Sequence, residues 1–175
     1  ARRLARDPEA RVRRAQVLAI PGAIRGVGDA VLAAGRLVEV AQAESRSATE
    51  HRDAHEKSAL LRAMGAEGAA TLLAAASQGR SVAGLDIEAQ RDVLDRSMID
   101  LLSLYRDVLV VQLGAGVDLV NATLDDQVRV LAASSTPEQT LRRMDAIGLA
   151  RTRLAGNVAP LLAMEAMTIA LRPQG

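Results

Sequence analysis

A single ring constrains this chain more than any motif does. Tyr105 is its only aromatic residue: there is no Phe and no Trp among 175 residues, although 49% of them are apolar. A core made of Ala, Leu, Val, Ile and Met must be filled by closely packed aliphatic side chains. Ala and Leu are among the strongest helix formers. The expectation is an all-α bundle rather than an aromatic-rich β-sandwich. The length suits one domain, or one and a fraction. A domain of this size buries roughly 70% of the surface its unfolded chain exposes.

Charge and cysteine content remove whole classes of function. The formal net charge is +1, so no global field draws in nucleic acid. Arg supplies the basic side chains with one exception, Lys57. With no cysteine there is no disulfide framework, no thiolate nucleophile and no thiolate metal site. No apolar run reaches the roughly 18 to 20 residues a bilayer span needs. The stretch ARRLARDPEARVRR has no apolar signal-peptide core. A cytoplasmic location is the expectation. The chain opens without Met and inside what reads as a helix, so it is expected to be a piece of a longer protein.

Helix signals punctuate the whole length. Asp7-Pro8-Glu9 reads as N-cap, first helical position and acidic first turn, for a helix that runs to about Ile20 and stops at Pro21-Gly22. The next helix starts near Gly26 or Val27, with Ala30, Val31, Ala34, Leu37, Val38 and Ala41 as its apolar stripe. From Gln42 to Ser58 the stripe fades, and a solvated helical extension is expected. Apolar character returns over 59–64. Gly65 and Gly68 are expected to interrupt it, a short Ala/Leu helix fits 69–77, and Gln78 to Ser81 with Gly84 mark a second break.

The strongest helix is read from about Asp86 to Leu113. Its seam is Ile87, Leu94, Met98, Leu101, Tyr105 and Val108, and it ends at Gly114-Ala115-Gly116. Leu109 to Leu113 read as apolar on every side, so that end is expected to be buried by several neighbours. Thr136 and Gln139 fit a capping box, with Pro137 at the first helical position. The helix they open, 137–155, is expected to bury Leu141, Met144, Ile147 and Leu154. Arg142, Arg143, Arg151 and Arg153 are placed on other faces, and Gly156 as the left-handed cap. A last helix from Pro160 to Leu171 is apolar all round, which belongs at the centre of a bundle.

No motif carries catalytic chemistry. His51 and His55 stand four apart, but without a third ligand they read as solvated histidines on a charged face. Asn121-Ala122-Thr123 reads as a turn or cap. Gly26-Val27-Gly28 and Gly114-Ala115-Gly116 lack the remaining residues of a phosphate loop. Arg2, Arg3, Arg6, Arg11, Arg13 and Arg14 form a basic patch with no aromatic stacking partners, read as a solvated or docked face rather than a DNA site. Arg106-Asp107 reads as an exposed pair in preference to an interfacial one. Met64, Met98, Met144, Met164 and Met167 read as core filler.

Three segments, LYRDVLVVQLGA, STPEQTLRRMDAI and NVAPLLAMEAMTIAL, in this order, resemble the C-terminal collar domain of the bacterial DNA polymerase III delta-prime subunits, members of the sliding-clamp loader. The likeness is strongest over about 90–172 and weaker over 1–42. It implies that residues 1–6 end an upstream, lid-like helix and that 7–175 form a collar-like helical domain, with 42–85 as an added extension. It implies an oligomerisation role in DNA replication, in a heteropentamer with gamma/tau and delta subunits. DNA would be met only through the whole complex, with no membrane, no cofactor, no metal and no enzymatic activity in this part. The residues marked as interface or core are Tyr105, Arg106, Leu141, Met144, Leu161, Leu162, Met164 and Met167. The competing reading is a ligand-binding or dimerising helical bundle of a regulatory protein. Such pockets usually use aromatic residues, and this chain has one.

Overall fold

A computed structural model describes residues 8–79 and 82–173. Among these the protein is all-α, with no strand. Six α-helices follow in order: α1 Pro8–Ala23, α2 Val27–Gly79, α3 Val82–Gln112, α4 Asp125–Ala133, α5 Pro137–Ala155 and α6 Pro160–Ala170. A single 3-10 turn, Ala122–Leu124, leads into α4. No helix of the described residues is long and apolar enough to cross a membrane.

The chain divides into two compact units. One holds the chain up to Val38 and from Asp95 onward; the other is Glu39–Leu94. In the first unit Leu18 of α1, Leu104 and Val108 of α3, and Val128 and Leu131 of α4 form a buried cluster. Val111, Leu119, Leu124 and Ala132 pack against its edge. Helices α5 and α6 pair as a hairpin. In the second unit Ala41, Ser45 and Thr49 are buried at four-residue steps along α2, and Gln90, Val93 and Leu94 are buried on α3. The Ser45 hydroxyl donates to the Gln42 carbonyl and that of Thr49 to the Ser45 carbonyl, so these buried hydroxyls are satisfied within their own helix.

Helix ends follow local chemistry, with several departures from the sequence reading. Helix α1 runs through Pro21 to Ala23. Proline has a helix-compatible φ, and close to a helix end its missing N–H removes a single intrahelical bond. Ile24 N–H still donates to the Ile20 carbonyl, closing the last turn. Helix α2 is continuous past Gly65 and Gly68. A helical glycine costs only about 1 kcal/mol against Ala, and the segment AMGAEGAA surrounds both with good helix formers. Helix α3 starts at Val82, so Gly84 lies inside it. Residues 80–81 of the expected break, and the expected lid-like residues 1–6, lie outside the described residues.

Helices α3 and α5 end in the same way. At α3, Gly114 adopts φ +62°. Its N–H bonds the Val111 carbonyl and that of Ala115 bonds the Val110 carbonyl, a complete Schellman motif. At α5 the left-handed residue is Asn157, φ 64°, and not Gly156. Asn157 N–H donates to Leu154 O and Val158 N–H to Arg153 O. Asparagine tolerates this conformation better than most residues, so the neighbouring glycine is not needed there.

The apolar faces also differ in extent. Ala30, Ala34, Leu37, Val38 and Ala41 are buried as expected, whereas Val31 and Ile87 are exposed. The end of α3 is only half-buried from Leu109 to Gln112, and Leu113 is exposed. Helix α6 is not central: it buries Ala163, Met164, Met167 and Thr168, while Leu161 and Leu162 face solvent. An apolar sequence sets what a helix is able to bury. The number of neighbours sets what it does bury.

Candidate interaction surface

The α5–α6 hairpin is built from its punctuation inward. The Thr136 hydroxyl accepts from Gln139 N–H at 3.3 Å, and the Gln139 side chain accepts from Thr136 N–H at 3.0 Å. This reciprocal box starts α5 where the sequence places it. The buried face of α5 is Thr140, Arg143, Ile147, Ala150 and Leu154, alternating steps of three and four. Leu141, Asp145 and Leu149 lie at four-residue steps on the outer face, all exposed. The expected stripe was therefore one residue out of phase at its start: Leu141 is outside and Arg143 is inside. One position is about 100° of helix rotation.

Helix α5 is tied to α3 by Arg151. Its Nε meets Asp95 Oδ1 at 2.6 Å and its Nη2 meets Asp95 Oδ2 at 3.1 Å. The two-pronged geometry fixes the angle of approach. Both side chains are about 40% exposed, so the pair orients the hairpin more than it stabilises it.

The eight residues marked from the sequence separate by burial. Tyr105, Met164 and Met167 are core. Met144 and Arg106 are half-buried, and Leu141, Leu161 and Leu162 are exposed. Arg106 Nη1 donates to Asp107 Oδ1 at 2.7 Å and to the Asp118 carbonyl at 2.8 Å. That corrects the reading of Arg106-Asp107 as an exposed pair, because the Asp107 side chain has no exposed surface. His51 and His55 are exposed. No group of three or more His, Cys, Asp or Glu among the described residues is arranged to hold a metal ion.

Asp107 organises the connection between α3 and α4. It accepts the Val120 N–H at 3.0 Å, and from Asn121 both the N–H at 2.7 Å and the side-chain amide at 2.9 Å. Burial by itself pushes this carboxyl up. The hydrogen bonds from Arg106, Val120 and Asn121 together outweigh burial and hold it below the usual carboxylate range. Asn121 also donates to the Ser103 hydroxyl at 3.2 Å and accepts from Arg14 Nη2 at 2.6 Å. Arg14 Nε in turn donates to Asp100 at 2.8 Å. Asn121 is thus more than the turn or cap the sequence suggests: it is a junction joining α1, α3 and this connection. Arg14 is an internal tie rather than part of a solvated basic face. Arg2, Arg3 and Arg6 lie outside the described residues.

Two side-chain amides reach the backbone of neighbouring elements. Gln127 on α4 donates to the Leu18 carbonyl of α1. Gln112 at the end of α3 donates to the Ala132 carbonyl in the last turn of α4 at 3.2 Å and to the Ser135 carbonyl beyond it at 2.6 Å.

Compared with family models, with curated proteins and with solved structures, the chain matches none.

Proposed function

We propose that this chain is a collar-type oligomerisation domain of a bacterial sliding-clamp loader, of the delta-prime kind. The observation that carries this reading is the outward display of leucines on α5 and α6. Leu141, Leu149, Leu161 and Leu162 are between 45% and 60% exposed. They lie on the hairpin formed by the two segments STPEQTLRRMDAI and NVAPLLAMEAMTIAL, which resemble that collar. Single exposed apolar residues are ordinary on a protein surface. Four leucines left outside on a hairpin whose inner faces are already buried fit a surface that another helix covers. In this reading the partners are gamma/tau and delta subunits, DNA is met only through the assembled complex, and the location is cytoplasmic. The role of this domain is structural rather than enzymatic.

The test is co-expression with gamma/tau and delta subunits. Leu161→Glu and Leu162→Glu together are expected to abolish co-purification while the circular-dichroism melt stays within a few degrees of the unaltered chain. Retained assembly, or an unfolded double variant, places the contact elsewhere. If the unaltered chain does not associate with any clamp-loader subunit, the family reading fails and a dimerising or ligand-binding regulatory bundle replaces it.

A further inference from the structure

Arg143 occupies the middle of the buried face of α5 and is 5% exposed. Its hydrogen bond runs from Nη2 to the Arg172 carbonyl at 3.4 Å. That is beyond the 2.7 to 3.2 Å of an ordinary N–H···O bond. Among the described residues no carboxylate lies within ion-pair distance of it. The other buried charged side chain of this unit, Asp107, has its counter-charge in Arg106. Buried charges are almost always paired, because removing an ion from water costs several kcal/mol.

Local compensation is small. The C-terminal end of α6 carries roughly half an elementary negative charge. The flanking ions Arg142 and Arg172 are cations like Arg143 itself. A guanidinium presents five N–H donors in a planar fork suited to a carboxylate, and only one of them meets an acceptor here. The fork is not sealed. The buried side-chain atoms that lack a partner belong to Gln90, Arg91 and Gln112, so the remaining Arg143 nitrogens keep contact with solvent. Met144, half-buried, follows it in the chain, and exposed Leu141 lies within the same turn.

We propose that Arg143 is the receptor for a carboxylate brought by another polypeptide, an acidic side chain that closes a two-pronged ion pair on its open edge. At 5% exposure the site is poor in water, and an ion pair closed there is stronger than one on an open surface. The proposal depends on the collar reading only for which protein brings the carboxylate. The competing account is that Arg143 exists to cap α6 through the Arg172 carbonyl.

The two accounts differ in what removal of the charge does. Tyr105 is the chain's only strong fluorophore, and its hydroxyl feels the positive charge of Arg143. Its emission is recorded while the chain is titrated with sodium acetate, and separately with sodium chloride at equal ionic strength. The expected result is a saturable change with acetate only. It is lost in Arg143→Met, which melts at or above the temperature of the unaltered chain. Arg143→Lys keeps the charge without the fork and is expected to show acetate binding weakened several-fold. The proposal is overturned if acetate and chloride act alike on the unaltered chain. It is equally overturned if both variants melt several degrees lower, since that is the signature of a lost helix cap. The assay uses the chain alone. A positive acetate result without gamma/tau association removes only the source of the carboxylate; association without an acetate response removes the site and leaves the collar reading standing.

Discussion

The backbone N–H and the side-chain amide of Asn121 both point at one oxygen, Oδ2 of Asp107, at 2.7 and 2.9 Å. Asn121 is therefore held by a group fourteen residues earlier in the chain, and the connection between them has little freedom left. Replacing Asp107 with Ala strips acceptors from two backbone N–H groups and an amide in a buried site. The expected loss is about 2–4 kcal/mol in urea titrations, in line with orphaned buried donors. Asp107→Asn keeps the shape and is expected to lose less. A loss under 0.5 kcal/mol for the Ala variant would mean that water replaces the carboxylate at no cost.

The same carboxyl sets an acid limit. Its folded-state pKa lies below the ordinary value, so the stability it contributes is fully present above the unfolded-state pKa of about 3.9 and is lost as pH falls through the lower, folded value. The stability gap between the unaltered chain and Asp107→Asn should be constant from pH 5 to 7 and shrink below about pH 4. A gap that stays level down to the acid transition would contradict this assignment.

At high pH the controlling group is Tyr105. Burial pushes its hydroxyl up to about 12, with the Arg143 charge pulling the other way. A raised pKa contributes stability that is complete below about pH 10 and is lost as pH rises toward 12. At about 1.4 kcal/mol per unit this amounts to roughly 2–3 kcal/mol. No other residue forms tyrosinate, so ultraviolet absorbance reads this one group. Its midpoint should lie well above 10 in the folded chain and return to about 10 in denaturant. A midpoint near 10 under native conditions would show that the ring is reached by solvent.

Helix α6 permits a contrast within one turn. Met164 has no exposed surface, whereas Leu162 is 60% exposed. Met164→Ala should cost about 2–5 kcal/mol, as buried large-to-small changes do. Leu162→Ala should stay within about 0.5 kcal/mol. Equal losses in urea titrations would mean that the outer face of α6 is covered in solution.

What the sequence made legible was local. Thr136, Pro137 and Gln139 specify the start of α5 because a capping box is closed by residues three apart. Gly114 specifies the end of α3 because a left-handed position favours glycine. The phase of α5 is hidden at its start because Leu141 and Met144 are apolar and attract the stripe. Stepping back from Leu154, Ala150 and Ile147 by three and four leads to Arg143 and Thr140, so the spacing held the answer that residue type concealed. Asp107 is similar: it stands three residues after Leu104, on the buried side of α3. Its partner Asn121, and Arg14 which bonds Asn121 in turn, had no such signal. They are distant in sequence, and only the folded chain brings them together. Helix α4 gives no such signal, because its buried face reduces to Val128 and Leu131. Two residues are too few for a period to show.

An interior without Phe or Trp has a consequence for how this fold keeps its identity. Leu and Met are close in volume, and aliphatic cores tolerate volume-conserving swaps while losing uniqueness before stability. Flat rings, which usually fix which surfaces meet, are represented by Tyr105 alone. The task of telling the right arrangement of helices from a slipped one falls instead to a handful of directional contacts: Asp107 with Asn121, Arg14 with Asp100, Arg151 with Asp95. Drift among the aliphatic residues should leave the architecture standing, whereas altering a few of these pins should turn a single structure into several of similar energy.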